Sequence, residues 1–390
     1  MGLLRTLLAL LVVCDHVRPL HGHHVEILGH GSVFAVKAFF IISGFYMTMV
    51  LHGQYRDRPV RDFYASRFTR LLPMYWFVGA ATVIAELLLM PRGSFFHPLA
   101  SPFAYGSGLD VYAMPWPLLL YAGVAVTTMF GLDTGQWLGF SKLTGAIGFF
   151  PDFGPNATSV MALSPIPQAW TVGIELLFYL LAPLIVTRSV RTVVALAIAS
   201  LTFRFVLIYF GLYALPWNRA LFPSELIYFL MGALSYRFYL SHPGIAQRLA
   251  PGTAWAAAIS PIAVSLFIIQ IVDRAHTGLL ATTVPYLLVA FCLPVLFDLT
   301  KDNSIDGRIG DLSYPVYMCH MLVMGLLQQL VAPVGSLGTD WLWVAWNVSW
   351  VCVGAAILDR LIAAPIDRWR KRFGARAAVR DPQQLVAAKA

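Results

Sequence analysis

Charged side chains are scarce in this sequence. Asp, Glu, Lys and Arg make up 12% of its 390 residues, about half the share that a soluble domain carries. Hydrophobic residues make up 58%, and the mean hydropathy is +0.71. The apolar residues form long continuous runs from one end of the chain to the other, without the alternation of an outer-membrane barrel. The pattern also excludes a soluble domain with a single anchor, and it predicts an all-α polytopic membrane protein.

The sequence also lacks the patterns that mark three other classes of protein. None of its four cysteines stands in a CxxC spacing, which argues against a disulfide framework or a cysteine-based metal site and favours buried thiols. No small-residue cleavage site follows the first apolar run, so we expect an uncleaved span rather than a signal peptide. The net charge of +8 comes from basic loops between apolar runs, as in other membrane proteins, so no nucleic-acid partner is expected.

Apolar runs of about 20 residues are long enough to cross a bilayer. They predict a bundle of about ten core transmembrane helices, which would contact membrane lipid. Two shorter apolar pieces, at 116–131 and 137–150, are expected to add a short hairpin or re-entrant pair. The ten predicted spans lie near 3–19, 33–51, 71–90, 168–187, 193–212, 221–240, 254–272, 279–299, 309–331 and 340–362.

The distribution of lysine and arginine predicts the orientation of the chain. These residues fall on one side of the membrane only if residues 116–150 contribute an even number of crossings. Both termini are then cytoplasmic, and the proline-rich segments 91–115 and 151–167 face outward. We expect one transmembrane domain over 1–373, with 374–390 as a disordered cytoplasmic tail.

The first predicted span, RTLLALLVVCDH, carries a cation and an imidazole eleven residues apart. On an α-helix this is ~16 Å of rise and just over three turns, so Arg5 and His16 lie on nearly the same face. Ionisable groups inside a membrane indicate function, and imidazole is the usual general base near neutral pH. Alternatively, Arg5 snorkels to the cytoplasmic interface and His16 satisfies a buried hydrogen bond. Asp15 points about 100° away from His16 and is a poor orienter of its ring.

Paired arginines open the third predicted span in the segment RFTRLLP. Arg67 and Arg70 are three residues apart and share a helix face. They form either an ordinary interfacial cation cluster or an anion site at the cytoplasmic mouth. Phosphate groups are the natural ligands of such a pair.

Two further segments place titratable groups inside apolar runs. In WTVGIELLFY, Glu175 and Tyr179 are four residues apart and share a face. The acid either pairs for bundle specificity or orients a base. In GDLSYPVYMCH, Tyr314, Tyr317 and His320 fall on roughly one face. A structural role is favoured for this second imidazole.

Other polar residues within apolar runs indicate packing. Ser43 in FFIISGF is a small residue that lets another helix or a ligand approach closely. Arg204 and Glu225 lie on neighbouring predicted spans, where they can pair. The histidines between 21 and 30 lack nearby cysteines or acids at ligand spacing, so no metal is expected.

These segments, in this order, resemble the membrane acyltransferase-3 family. The resemblance runs from residue 3 to about 370, and six segments in register make it specific. They are the Arg-x10-His pair of the first span, FFIISGF (39–45), RFTRLLPMYW (67–76), AWTVGIELLFYLLAPL (169–184), ELIYFLMGAL (225–234) and IGDLSYPVYMCHMLV (309–323).

The resemblance implies an enzyme that moves an acyl group, commonly acetyl from acetyl-CoA, onto a hydroxyl of a carbohydrate or glycolipid acceptor such as exopolysaccharide or O-antigen. His16 matches the family's essential histidine. Glu175 matches the acid of its WxLxxExxFY segment. Its conserved arginines are matched by Arg5, Arg67 and Arg70.

The chain departs from the family near the end of the last span. The family often carries a Glu two residues before a Pro at this place. Here the proline is Pro365 and Ala363 occupies the position of the acid. The role of that Glu is therefore absent or has moved, for which Asp359 is the candidate.

The resemblance and the charge pattern together give an expected mechanism in the bacterial inner membrane. Acyl-CoA binds from the cytoplasm, with its phosphates at the paired arginines and Arg5. His16 then either deprotonates the acceptor hydroxyl or takes the acyl group itself. Glu175 or Tyr179 sets the tautomer of His16 if their helices meet.

Two alternatives compete with an acyltransferase. A proton-coupled transporter would use the same buried His, Glu and Arg residues as a relay, but the sequence shows no inverted repeat of the kind that such carriers contain. A lipid-carrier glycosyltransferase would need metal-binding acidic pairs, which the sequence does not show.

Overall fold

The computed structural model describes residues 1–17, 31–89, 114–150, 156–212, 217, 219–275, 279–330 and 340–370. Twelve α-helices lie within these residues, and a π-helical turn, Asp359–Ala363, continues the last. The tail predicted at 374–390 and most of the segment 91–115 lie outside the described residues. The helices are α1 (Gly2–His16), α2 (Gly31–His52), α3 (Val60–Leu89), α4 (Trp116–Thr128), α5 (Trp170–Ile185), α6 (Val190–Tyr209), α7 (Phe222–Ser241), α8 (Pro251–Ala275), α9 (Leu279–Thr300), α10 (Ser304–Asp311), α11 (Ser313–Leu330) and α12 (Asp340–Leu358).

Seven helices in the described part of the chain are long and apolar enough to cross a membrane by length and composition. The prediction of a helical polytopic membrane protein is confirmed at this level. Helices cover each of the ten predicted spans, although α3 begins well before residue 71 and the span at 309–331 is divided between α10 and α11. The number of crossings stays a prediction. The seven helices are α2, α3, α5, α6, α8, α9 and α12.

The expectation of a second membrane segment at 137–150 is wrong, because these residues form strands. β1 (Leu138–Ser141) lies between β2 (Ile147–Phe149) and β3 (Ala157–Ser159) in an antiparallel sheet. The turn between β1 and β2 contains Gly145 at φ +69°, a left-handed conformation that glycine adopts without strain.

Neither part of 116–150 is long enough to span a bilayer. Strands of three or four residues fall far short of the ~9–11 residues that a membrane strand needs. The 13 residues of α4 extend only ~20 Å, against a hydrocarbon core of ~30 Å. By length, therefore, neither α4 nor the strands can cross the membrane alone, and the even number of crossings that the charge pattern requires here stays a prediction.

Helix α2 lies at the centre of the bundle, in contact with α1, α5, α7, α8 and α9. Its closest approach is to α7. A Cβ atom at Gly44 would lie 1.9 Å from the Phe229 carbonyl oxygen, and one at Gly232 would lie 1.8 Å from that of Ile41. The two glycines let the backbones touch. This contact also fixes the position of Ser43, the neighbour of Gly44.

A buried ion pair joins α6 to α7. Arg204 Nη1 lies 3.0 Å from Glu225 Oε1, and both side chains are 1% exposed. The predicted pairing of these residues is confirmed. Beside it, the ammonium of Lys37 on α2 lies over the rings of Tyr228 and Tyr286, at 5.1 and 5.6 Å from their centroids. Cation–π contacts of this kind partly replace the hydration that burial removes.

Candidate active site

A cavity of about 550 Å³ lies among α1, α2, α3, α5 and the junction of α10 with α11. Its volume is within the range of small-molecule sites. Asp15, His16 and His320 lie outside its wall. The residues singled out from the sequence that line it are Arg5, Ser43, Arg67, Arg70, Glu175, Tyr179, Tyr314 and Tyr317.

Three arginines from two helices meet in this cavity: Arg5 from the first turn of α1, and Arg67 and Arg70 from successive turns of α3. Arg67 is 8% exposed, lies over the Phe63 ring at 5.8 Å and donates to Ser66 Oγ at 3.3 Å. Its buried Nε has no hydrogen-bond partner among the described residues. Three guanidinium groups, one of them with an unused donor, are suited to a phosphate group.

Glu175 lies on the same wall and is held by two hydroxyl groups. Its Oε1 accepts hydrogen bonds from Ser43 Oγ on α2 and from Tyr179 OH one turn along α5. The two hydroxyl oxygens lie 3.2 Å apart. The face that Glu175 and Tyr179 share thus forms, with Ser43, one hydrogen-bonded group that fixes the carboxylate at the cavity.

Two charged residues fix the end of the cavity near α10. Asp306 accepts hydrogen bonds from Gly2 N–H at 2.6 Å and Leu3 N–H at 2.8 Å, which ties the start of α1 to α10. Burial alone would raise the pKa of Asp306, but these hydrogen bonds outweigh it and lower the pKa. Lys301 donates to Asp298 Oδ1 at 2.7 Å, and this bond raises the pKa of the Lys301 ammonium.

Three residues on one face of α11 connect the cavity to a second polar site. Tyr314 lines the cavity and donates to the Leu71 carbonyl oxygen of α3 at 2.9 Å. Tyr317, one turn further, also lines the cavity, and its hydroxyl lies 2.6 Å from Thr171 Oγ1. His320 follows after another turn and is 0% exposed. Each step is ~4.5 Å along the helix, so the second site directly adjoins the cavity.

The second site is a pair of imidazoles. His16, at the end of α1, packs against His320 with ring centroids 5.2 Å apart. Nδ1 of His16 lies 2.7 Å from the Val12 carbonyl oxygen. Because a carbonyl oxygen only accepts, this contact places the proton on Nδ1 and leaves Nε2 as the basic nitrogen. From the sequence, we expected Glu175 or Tyr179 to set this tautomer if their helices meet α1. In the structure, the partner of Nδ1 is the Val12 carbonyl oxygen of α1 itself.

Asp15 binds a backbone N–H group of α2 rather than orienting the His16 ring. Its carboxylate accepts a hydrogen bond from Ser32 N–H and so joins the end of α1 to the start of α2.

No group of three His, Cys, Asp or Glu side chains in the described ranges is placed to hold a metal ion. The histidines between 21 and 30 lie outside those ranges. Asp359, the candidate replacement for the family's Glu, begins the π-helical turn after α12.

Sequence reasoning missed two polar residues that hold α11 in place. Gln168 Nε2 donates to the Met318 carbonyl oxygen at 3.0 Å, and the hydroxyl of Tyr317 donates to the Gln168 carbonyl oxygen at 3.1 Å. Thr171 is the other partner of Tyr317. Both residues resemble ordinary interfacial residues at a span end. The only available signal was that Thr171 lies four residues before Glu175, on the same helix face.

A family model described as an acyltransferase domain matches residues 1–360. The chain belongs to the acyltransferase-3 family. A relative in this comparison, the exopolysaccharide production protein ExoZ of Rhizobium meliloti (strain 1021), is 24% identical over 363 residues, which cover 92% of this chain and 95% of ExoZ. No solved structure matches the chain. The protein is therefore an acyltransferase of the membrane-bound acyltransferase-3 family, as its apolar helices also indicate.

The part of the chain that matches the acyltransferase-3 family holds the whole candidate site. It includes every residue of the cavity wall, the imidazole pair and Asp359. The arginine cavity and the imidazole pair are therefore features of the acyltransferase domain itself.

Proposed function

We propose that this acyltransferase moves an acetyl group from cytoplasmic acetyl-CoA to a hydroxyl of a carbohydrate acceptor, at the outer side of a bacterial inner membrane. The observation that carries the proposal is the three-arginine cavity, which adjoins the imidazole pair through Tyr317. The likeness to ExoZ, an exopolysaccharide production protein, supports exopolysaccharide as the acceptor class.

The cavity fits a donor that carries phosphates at one end and a thioester at the other. Arg5, Arg67 and Arg70 bind the phosphates, and the apolar wall encloses the pantetheine arm. Glu175, held by Ser43 and Tyr179, offsets part of the arginine charge. The donor supplies a thioester carbonyl and a thiolate leaving group.

His16 acts as the general base of the transfer. Its Nε2 takes the proton of the acceptor hydroxyl as that oxygen attacks the thioester carbonyl. A carbon–oxygen bond forms, the carbon–sulfur bond breaks, and the proton passes from His16 to the departing sulfur. The neutral imidazole is then restored, with its Nδ1 proton still held by Val12. Positioned general-base catalysis of this kind contributes about 10²–10⁴-fold to a rate.

The test separates donor binding from chemistry in the purified full-length protein. We expect CoA to raise the thermal unfolding midpoint of the wild type and of His16→Ala equally, because His16 lies outside the cavity wall. Transfer of acetyl from acetyl-CoA to exopolysaccharide from a strain that lacks the gene should fall at least 100-fold in His16→Ala.

His52→Ala is the matched control for this experiment. His52 makes the same contact as His16, from Nδ1 to the carbonyl oxygen four residues back, at 2.9 Å, but at the far end of α2. It should keep full transfer. Near-wild-type transfer in His16→Ala would refute the role of His16. A wild type that CoA does not stabilise would refute the donor site and favour a transporter.

A further inference from the structure

The cavity extends along one face of α2. Residues of this helix at steps of three and four positions line it over ~16 Å of helix. In order from the arginines they are Met47, Ser43, Phe39 and Val36. Met47 lies at the phosphate-binding end, where its Sδ is 4.0 Å from Arg67 Nη1. Phe39 lies ~12 Å further along the helix, and its ring is edge-on to that of Tyr317, with centroids 6.3 Å apart. The cavity thus has the arginines at one end and Tyr317 at the other.

Among the described residues, the lining of the cavity stops at a similar level on three helices. The lining residue farthest from the arginines is Val36 on α2, Thr171 on α5 and Tyr317 on α11. On α11 the next turn carries His320, which lies behind the Tyr317 ring at 5.8 Å between centroids and does not line the cavity. Together with Phe39, the three lining residues form what we call the end wall. It leaves little room for a group that extends past Tyr317.

Tyr317 is fixed in the end wall by packing and by hydrogen bonds. It is 8% exposed, and its ring lies between those of Phe39 and His320. Its hydroxyl donates to the Gln168 carbonyl oxygen at 3.1 Å and lies 2.6 Å from Thr171 Oγ1. Turning the ring aside would break both contacts in a buried position, where unpaired polar groups are costly. The end wall is therefore rigid at Tyr317 and does not adapt to a longer ligand.

In the proposed function the acyl group lies at the end wall, because the phosphates occupy the arginines and the thioester is at the other end of the donor. We propose that Tyr317 determines which acyl group is transferred: its ring is the stop behind an acetyl group, and it excludes butyryl and longer chains. A stop beyond the methyl group leaves the carbonyl carbon, one bond nearer the sulfur, open to the acceptor hydroxyl. The inference rests on the proposed function and assigns its donor specificity to this residue.

The test compares kcat/KM for acetyl-CoA and butyryl-CoA as donors to exopolysaccharide from a strain that lacks the gene. Each extra methylene that a pocket must reject changes kcat/KM about tenfold or more, so the wild type should prefer acetyl-CoA by about 100-fold or more. Tyr317→Leu opens the end wall and should lower this preference at least about tenfold, mainly by raising kcat/KM for butyryl-CoA. A tyrosine that only supported the fold would change both rates together and leave their ratio unchanged.

Three further variants separate the end wall from the rest of the cavity. Tyr317→Phe keeps the ring between Phe39 and His320 and should keep the preference for acetyl-CoA. Phe39→Leu opens the end wall from α2 and should lower the preference, so it carries the test if thermal unfolding shows that Tyr317→Leu does not fold. Tyr314→Leu is the matched control one turn away on α11, because Tyr314 also lines the cavity and donates to a backbone carbonyl oxygen, but nearer the arginines. It should leave the ratio of the two donors unchanged, whatever its effect on the rate.

Opposite results would overturn the inference. These are a wild type that uses acetyl-CoA and butyryl-CoA equally well, end-wall variants that transfer acetyl and keep the full preference, or a Tyr314→Leu variant that loses the preference as far as Tyr317→Leu does. A Tyr317→Phe variant that loses it entirely would also contradict a role for the ring. A wild type that transfers neither acyl group would instead refute the proposed function, before any variant is compared.

Discussion

At the scale of single residues, the arginines of the cavity differ in how firmly the protein already holds them. Arg67 is buried against Phe63 and Ser66, so its replacement would disturb packing as well as binding. Arg70 is half-buried at the cavity wall and is the better probe of phosphate contact. We expect Arg70→Gln to raise the Kd for CoA about tenfold or more, since a hydrogen bond to a charged group is worth ~1.5–3 kcal/mol. Isothermal titration at low salt measures this change.

Arg61→Gln is the matched control on the same helix, because the Arg61 side chain is 86% exposed and only faces Asp62 at 3.7 Å. It should leave the Kd unchanged. An acetyl thioester of pantetheine without phosphates should bind wild type and Arg70→Gln equally. Equal weakening of that compound in Arg70→Gln would show that the arginine supports the cavity wall rather than a phosphate.

The residues of the site were predictable to the extent that charge is unusual in an apolar run. Arg5, Arg67, Arg70 and Glu175 stood out for that reason, and the structure brings all four to one cavity. The hydrogen bond that sets the tautomer of His16 was not predictable, because its acceptor is a backbone carbonyl present in every residue. Contacts between α1 and α11 likewise depend on tertiary packing, so the imidazole pair could not be inferred from spacing.

At the scale of helices, the contact between α2 and α7 depends on two glycines. A Cβ atom at Gly44 would lie 1.9 Å from the Phe229 carbonyl oxygen, and backbone cannot rotate away as a side chain can. Gly44→Ala should therefore destabilise the protein by about 1–3 kcal/mol, as overpacked cores do. It should also lower transfer, because Ser43 moves with the helix. Thermal unfolding in detergent and the transfer assay measure the two effects.

Gly123→Ala provides the comparison within another helix. Gly123 lies in α4, and a Cβ atom there would meet nothing within 4 Å. The substitution should stabilise the folded protein slightly, by ~0.5–1 kcal/mol, because alanine loses less backbone entropy than glycine when it folds into a helix. Equal unfolding midpoints for the two variants would show that the α2–α7 contact is looser than the structure has it.

Helices were more predictable than the sheet for a physical reason. A run of about 20 apolar residues in a membrane must satisfy its own backbone, which leaves the helix as the simplest solution. The piece at 137–150 is short and contains several glycines, and in such a run periodicity does not distinguish helix from strand. Its pairing with β3 depends on residues 157–159, which the sequence does not link to it.

At the scale of the whole molecule, the site is arranged along a direction through the bundle. The arginine cavity lies at the start of α1, and the imidazole pair lies at its end, eleven residues from Arg5. The basic loops that predict a cytoplasmic side include the segment between α2 and α3, next to the paired arginines. In the proposed orientation, this arrangement has the donor bind on the cytoplasmic side and the acceptor enter from the opposite side.

That orientation makes opposite predictions for two exposed cations. Arg61 at the start of α3 should face the cytoplasm, and Lys142, in the turn between β1 and β2, should face outward. In spheroplasts, a membrane-impermeant maleimide should label Lys142→Cys, and it should label Arg61→Cys only after the membrane is opened. The unaltered chain gives the background from its four free cysteines, of which Cys292 and Cys319 are buried and Cys14 and Cys352 half-buried; this background is subtracted from both variants. Labelling of Arg61→Cys in sealed spheroplasts, with protection of Lys142→Cys, would show that the orientation is the reverse of the one proposed. The arginine cavity would then open away from the cytoplasmic CoA pool.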